Sequence, residues 1–582
     1  MGTALIFLSC FGIALRLIAP GIALEDSGEF VTAAVTLSIT HPPGYPLYVL
    51  LGKLFSLIPV GSPGFRLSLF SAACASGTAA ALYRFSTLLL GPGSVVASAT
   101  GALVLFLTPA LALQSALPDK YAFSTVLICL LYILTFTAWR EGPRRLPALA
   151  FLVGATFSHH MMTLYLAPAI LGLLWRDRRL LTLRTAVVLV MLSALGLTLK
   201  PLALVLLSVS SISLMYSPLN SAGKLAGYLA ATAYSGRFVA FEFTEKITRI
   251  WTHGIMTLWS QLGGFMLAFT LLGAVLAWKR WRPFLLAGLA GTGIAVILVA
   301  NFQIAGVDYY LLPSTAVACI LAAAGLDWLR PRITNVGVAF MGLGMLAIAA
   351  VASLPRADLS NYYGASDWAR NILSSQDRDC VMLSIHDDDF FPPLYFTRVL
   401  EERPDVVIVH RPMITRLWYH TQVEALHPGF KTLAPDIIPW GTTIQPDMLI
   451  NIFLRSHYGK GEVAFTYIPN AETAGGYKAT PDFAMFRLGR KEDRIRPPRA
   501  DQFARQVSRM RLRYLFTDYG PKSFRFREVA GAIPSSWVQL AALWYEAGDM
   551  EEARRCMRMA LSYPYTRVVK DDIEKMRLAL GV

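Results

Sequence analysis

Up to about residue 355 the chain is a succession of apolar runs, each close to the length that spans a bilayer. This repetition constrains the fold more than any single motif. A helix rises about 1.5 Å per residue, so a hydrocarbon core roughly 30 Å thick takes about 20 residues to cross. Eleven candidate spans follow from the pattern: 3–19, 66–90, 94–117, 119–139, 146–159, 161–175, 185–217, 253–278, 283–301, 308–329 and 334–354. The 582 residues are 55% hydrophobic and only 16% charged, where a soluble domain carries roughly a quarter charged residues. Beyond residue 355 Arg, Asp and Glu become frequent. The expected architecture is an α-helical polytopic membrane protein with about 11 transmembrane helices. A C-terminal soluble α/β domain and a short tetratricopeptide-like helical end follow it. The expected divisions are a membrane domain over 1–355 with a first outer loop at 20–65, an extracytoplasmic α/β domain over 356–489, and a basic linker with the helical end over 490–582.

Basic loops set the orientation, because cytoplasmic connections collect Lys and Arg. Four clusters stand out, at 140–145, 176–184, 279–282 and 330–332. The stretch 185–217, interrupted by Lys200-Pro201, reads as one long kinked helix, a re-entrant element or two short crossings. One net crossing puts all four clusters on one face together with the N-terminus, and two crossings split them. One crossing is therefore expected, with the N-terminus cytoplasmic. The 20–65 loop, the 218–252 loop and the C-terminal part are then extracytoplasmic. The run Thr3–Ala19 has no basic n-region and no small-x-small cleavage site, so it reads as an uncleaved first helix. Four of the six cysteines lie in apolar runs and no pairing is evident, which argues against a disulfide framework.

The loop 20–65 concentrates the chemistry. Glu25, Asp26 and Glu29 follow the first helix, and His41-Pro42-Pro43-Gly44-Tyr45-Pro46 follows them. Carboxylates at a membrane boundary are functional candidates. The competing role for Asp26 is to cap a short helix over 27–40. Three prolines within five residues forbid a helix and hold His41 in a stiff turn.

These residues carry a resemblance. Asp26-Ser-Gly-Glu29, then His41-Pro-Pro-Gly-Tyr-Pro-Leu-Tyr48 with Gly52 and Phe55, resembles the signature of a large family of GT-C-type membrane glycosyltransferases. That family was long catalogued as a domain of unknown function, and a eukaryotic member is the endoplasmic-reticulum O-mannosyltransferase of plexin-type receptors. Asp119-Lys120-Tyr121, Ser158-His159-His160-Met-Met-Thr163, Asp308-Tyr309-Tyr310-Leu-Leu-Pro313 and Arg403-Pro404-Asp405-Val406 match further family motifs in order. The chain departs from the pattern at Ser217–Gly223, where the family's usual Trp and Asp are missing. That difference bears on donor or acceptor specificity.

The resemblance implies transfer of mannose or another hexose from a polyprenyl-phosphate carrier to an extracytoplasmic acceptor, with inversion at the anomeric carbon. It implies Asp26 as general base, with Glu29 as the fallback and acceptor-orienting partner. Candidates for binding the carrier phosphate or the sugar are His41, Tyr45, Lys120, Tyr121, His159, His160, Lys200 and Arg237. Bland alternatives stand beside several of them. The two histidines can be interfacial anchors or packing residues, Lys120 can snorkel, and Lys200 can serve a kink at Pro201. No ligand spacing calls for a metal, and no cofactor is expected beyond the lipid-linked sugar. Expected partners are membrane lipids, the carrier-linked donor and a protein, glycan or lipid acceptor. Nucleic acid is not expected despite a pI near 9.5, and a bacterial inner membrane with a periplasmic site fits better than the endoplasmic reticulum. The runner-up function is a transporter or flippase for a lipid-linked or polar substrate, which would favour internal repeats that the chain does not display.

In the soluble end, 365–374 reads as a helix, Cys380–Ile385 and Asp405–Val409 as strands, and His386–Asp389 as a loop between elements. The tail 490–527 is Arg-rich, suited to anionic lipid headgroups. Trp537 to Ala560 has the helix, Gly turn and helix of a tetratricopeptide unit.

Overall fold

A computed structural model describes residues 1–180, 182–210, 216, 218–237, 241–303, 307–432, 452–454, 457, 463–466, 477–482, 485–490, 497–511, 513, 524–563 and 570–582. The chain forms two compact units. One gathers Met1–Pro20, Ile39–Ser210 and Leu219–Asn361. The other gathers Gly21–Ser38 with Tyr362–Val582.

Helices in chain order are α1 (Gly2–Leu17), α2 (Ser27–Thr36), α3 (Pro46–Ser56), α4 (Pro63–Leu90), α5 (Val95–Phe106), α6 (Pro109–Ala116), α7 (Tyr121–Glu141), α8 (Leu146–His159), α9 (Ala167–Arg176), α10 (Leu183–Ser210), α11 (Ala222–Leu229), α12 (Phe243–Arg249), α13 (Met256–Arg280), α14 (Arg282–Asn301) and α15 (Leu312–Ala357). All but α2 belong to the first unit. Local signals explain their ends. Ser62 caps α4 by accepting the Phe65 N–H, Pro63 opens it, and Gly91 at φ +95° closes it. Gly142 at φ +92° closes α7 in the same way.

Among the described residues, six helical stretches are long and apolar enough to cross a membrane, and a seventh is counted if the 64° bend between Phe106 and Pro109 lies within one span. The expected eleven spans and this set differ for two reasons. Several expected spans form short helices, such as the 16 residues of α1 and the 14 of α8. In addition, the stretch Asp308–Ala357 contains two expected spans. It is broken at Thr334, whose φ is +67°. Neighbouring α5 residues touch both halves, Gly101 facing the Cys319 carbonyl and Thr100 facing Gly342. A straight helix would separate residues 319 and 342 by about 34 Å, so the two halves fold back on one another. The described part of the stretch 185–217 up to Ser210 is a single helix, α10, with Pro201 inside it.

Helices cross closely where paired glycines remove side chains. Gly154 of α8 faces the Ser193 carbonyl of α10, and Gly196 of α10 faces the Phe151 carbonyl of α8. Gly273 of α13 and Gly325 of α15 meet the partner backbone in the same reciprocal way. Without a hydrophobic drive between helices in lipid, such close packing carries the association.

The four basic clusters lie at one end of this unit. Arg140 donates to the Leu88 carbonyl, and Arg176 donates to the Trp139 carbonyl while stacking on its indole. Arg330 pairs with Asp327 at 3.2 Å and lies against Gly93, and Arg280 also acts on Asp327. Residues 120 and 160 sit at the opposite helix ends. The 21 residues of α7 put them about 30 Å from the basic clusters.

In the second unit, α16 (Gly364–Ser374), β1 (Val381–Ser384), α17 (Asp387–Arg398), β2 (Val407–His410) and α18 (Leu417–Leu426) alternate as the sequence pattern implies. With β3 (Val463–Phe465), β4 (Tyr477–Asp482) and β5 (Met485–Arg490) they build a five-stranded sheet of order β2-β1-β3-β5-β4 among the described residues. The first three strands are parallel and the β4–β5 edge is antiparallel. Asp387, Asp388 and Asp389 are not in the expected loop. They form the first turn of α17, where carboxylates suit the positive end of the helix dipole. The C-terminal helices Phe524–Glu546 and Met550–Leu561 turn at Gly548, whose φ is +82°. Much of the Arg-rich stretch, at 491–496, 512 and 514–523, lies outside the described residues.

His410 at the end of β2 is buried against Phe390, with ring centroids 4.5 Å apart. Its Nδ1 is 3.0 Å from Ser384 Oγ, and its Nε2 is 3.9 Å from the Asp387 carboxylate. Burial, and less strongly the neighbouring His386, push its pKa from 6.5 down to about 3. A folded pKa below the unfolded one means that the unfolded chain binds more protons between these values. The contribution to stability is therefore complete above pH 6.5 and is lost as pH falls towards 3. We expect the second unit to lose about 1.4 kcal/mol per pH unit below 6.5. Hydrogen exchange of strands 381–384 and 407–410 between pH 7 and 5 measures this, and His410→Gln is expected to flatten the dependence.

Candidate active site

The first unit brings together the histidines, the lysines and the tyrosines that the motifs singled out. The turn before α3 begins the arrangement. Gly44 donates its N–H to the His41 carbonyl at 2.9 Å, closing the turn that the prolines dictate. Tyr228 of α11 is fully buried and donates its hydroxyl to the Thr40 carbonyl at 2.6 Å. Gly44 has φ +76°, and a Cβ there would meet Tyr228 Oη at 2.6 Å. Both features exclude a side chain. We expect Gly44→Ala to destabilise the protein by about 2 kcal/mol and to reduce turnover by displacing His41 and Tyr45. Thermal unfolding and an activity assay read the two effects.

Tyr45 sits immediately before α3 and acts as the hub. Its ring stacks on His160 at 5.8 Å and meets His41 at 5.5 Å and His159 at 5.9 Å. The start of α7 supplies the next group. Lys120 is 2% exposed. Its Nζ lies 3.4 Å from Asp119, 4.6 Å from the Tyr121 ring and 5.4 Å from the Tyr45 ring. A buried ammonium requires such partners. Gln114 donates to the other Asp119 oxygen at 3.2 Å. Lys120 does not snorkel to an interface, because Asp119 and the two rings hold it inside.

The end of α8 supplies the histidines. His160 Nδ1 accepts the Met162 N–H at 3.1 Å, so the neutral ring carries its proton on Nε2 and can donate from there. Its ring also lies 5.8 Å from Tyr121 and 5.6 Å from Tyr310. His159 is fully buried, with Nε2 3.2 Å from Ser124 Oγ and its ring 4.7 Å from Phe123. Its Nδ1 is buried without a hydrogen-bond partner among the described residues. Lys200 of α10 is 7% exposed, although most of that helix faces outward. Lys200, Lys120, His159 and His41 all act electrostatically on His160. Arg237 ends a short 3-10 turn, Thr232–Arg237, and its side chain lies outside the described residues.

Sequence reasoning missed Asp119 and Tyr310 as individual residues, although both lay within quoted motifs. The signal was available, since a lysine kept out of water needs an acid beside it.

In the second unit, Asp26 takes the N-cap position of α2, with its backbone carbonyl accepting the Phe30 N–H at 2.9 Å. Its side chain makes no cap hydrogen bond. The capping role therefore does not account for this carboxylate. Ser27 Oγ instead accepts the Ala23 N–H at 2.9 Å. Glu29, in the first turn, is 3% exposed. The helix stops at Leu37 in the left-handed region, shorter than the expected 27–40.

Residues 26–183 match the model of the family described as the Protein O-mannosyl-transferase TMEM260 N-terminal domain. The chain is 26% identical over 479 residues to the mouse (Mus musculus) Protein O-mannosyl-transferase TMEM260, covering 74% of this chain and 65% of that one. It thus spans slightly less than two thirds of that relative's length. A protein of the same description from Dictyostelium discoideum is 34% identical over 89 residues, 15% of this chain and 11% of that one. The fold is shared with ArnT from Cupriavidus metallidurans, solved bound to undecaprenyl phosphate. The TM-score is 0.52 at 11% identity, over 85% of this chain and 98% of that one. The same protein in its apo state gives a TM-score of 0.52 at 12% identity, over 83% and 97%. The resemblance read from the motifs is borne out by these relatives.

Proposed function

We propose, from this family resemblance, that the chain is a membrane glycosyltransferase that moves a hexose from a polyprenyl-phosphate carrier to an acceptor hydroxyl on the extracytoplasmic side. The observation that carries the reading is the buried group of Lys120, Lys200, His160 and Tyr45 at the end of the helices opposite the basic loops. This group lies largely within the segment similar to the O-mannosyl-transferase domain. Two buried cations and a histidine N–H are suited to a phosphate. Tyrosine faces suit the apolar side of a sugar ring.

In the proposed reaction the acceptor oxygen attacks the anomeric carbon. The bond from that carbon to the carrier phosphate breaks, and its electron pair stays on the phosphate oxygen. The hydroxyl proton passes to Asp26, a carboxylate that its helix does not use as a cap. Lys120, Lys200 and the Nε2–H of His160 stabilise the charge growing on the phosphate. Glu29 orients the acceptor. A single in-line displacement inverts the anomeric centre. Mannose is the first donor to test because the curated relatives bear that activity in their description. Membrane lipids and an acceptor of protein, glycan or lipid nature complete the partners.

The test offers polyprenyl-phosphate mannose and polyprenyl-phosphate glucose to the protein in nanodiscs with a mixed acceptor pool, and reads the anomeric configuration of the product. A product of inverted configuration supports the reading. Retention would replace the single displacement, and vectorial movement of intact donor without bond cleavage would favour a flippase.

A further inference from the structure

We propose that Asp388, in the first turn of α17, is a positioning residue that aims Asp26. The inference rests on the reading of Asp26 as general base. The segment Gly21–Ser38 clusters with the C-terminal unit and not with the helices on either side of it in sequence. Two contacts hold it there. The Asp388 carboxylate accepts the Glu25 N–H at 2.6 Å across 363 positions of chain. Glu25 has φ +65°, a conformation that a residue with a side chain adopts only when its surroundings impose it. Gly28 lies against the backbone of Phe391, where a Cβ would approach the carbonyl to 2.8 Å, so α2 and α17 are in direct backbone contact.

Asp388 is itself fixed. It is 3% exposed, and the next residue, Asp389, accepts the Trp368 indole N–H at 3.2 Å, tying the first turn of α17 to α16. A buried carboxylate on a braced helix therefore grips the residue directly before Asp26. The bond is charge-assisted and short, of the stronger kind. Asp388 needs no contact with substrate to matter, since a displacement of about 1 Å at a catalytic group can cost 10²-fold in rate.

The experiment compares Asp388→Asn, Asp388→Ala and Asp388→Glu in the full chain in nanodiscs, with polyprenyl-phosphate mannose as donor, the mixed acceptor pool present, and release of polyprenyl phosphate as readout. Asn keeps an acceptor oxygen in place, Ala removes it, and Glu moves it by roughly one methylene. The expected result is a kcat within about 3-fold of wild type for Asn and reduced about 10- to 100-fold for Ala and Glu. KM for the donor should stay within about 2-fold throughout, and kcat is counted per folded protein, because loss of folded enzyme also lowers the rate without moving KM. Hydrogen exchange of residues 21–30 should rise in Asp388→Ala and return to wild type in Asp388→Asn, while residues 364–374 stay protected in all variants. Wild-type kcat and exchange in Ala and Glu would overturn the proposal, as would an Asn variant as impaired as Ala. Asp26→Asn is assayed alongside. If it retains full turnover, the base assignment fails and the positioning role falls with it. If it is inactive while Asp388→Ala is normal, only the positioning role fails.

Discussion

Lys120→Met should lower turnover by about 10²- to 10³-fold, the loss typical of removing one preorganised donor from a developing oxyanion. It should also destabilise the protein by about 3–5 kcal/mol, because Asp119 would remain buried without its counter-ion. The two effects have different origins and can be separated. Adding Asp119→Asn removes the stranded charge, and the amide oxygen still accepts from Gln114. The double variant is expected to recover most of the stability and none of the activity. Recovery of both would make the pair a structural device and return the phosphate role to Lys200 and His160. Unfolding midpoints and donor turnover, measured on the same preparations, decide the matter.

Asp26→Asn should leave folding and carrier binding intact and lower kcat by about 10²- to 10⁴-fold, the usual contribution of a general base. Stability is expected to hold because the Asp26 side chain does not cap α2, while the backbone carbonyl that supports the helix survives the substitution. An amide of the same shape cannot take the proton. Glu29→Gln should instead raise the acceptor KM with a smaller loss in kcat, as expected of a group that orients without accepting the proton. An inverted order of severity would exchange their roles.

Much of this arrangement was legible in the sequence because the signals are local. The prolines at 42, 43 and 46 dictate the turn that carries His41 and Tyr45, and Gly44 at φ +76° shows why no other residue serves there. The placement of four Arg-rich loops at one end followed from the single crossing assigned to α10. What stayed hidden depends on long-range contacts. Nothing in residues 21–38 announces that they pack with a helix more than 350 positions later, since the link is a backbone N–H and a bare glycine face. The aspartates at 387–389 read as a loop because three acidic residues directly after a strand suit a turn. Yet they form the first turn of α17. Its carboxylates contact the Glu25 backbone and the Trp368 indole, not solvent alone. Asp119 was hidden for a related reason, because only the burial of Lys120 shows that its neighbour must be its counter-ion.

The most direct test measures release of polyprenyl phosphate from polyprenyl-phosphate mannose, with the mixed acceptor pool present, by wild type and Asp26→Asn in the same nanodiscs, with carrier binding followed in parallel. Both proteins should bind the carrier, and only wild type should release it at an appreciable rate. Equal release by the two proteins, or a wild type that neither binds nor cleaves the donor, would contradict the proposed reaction.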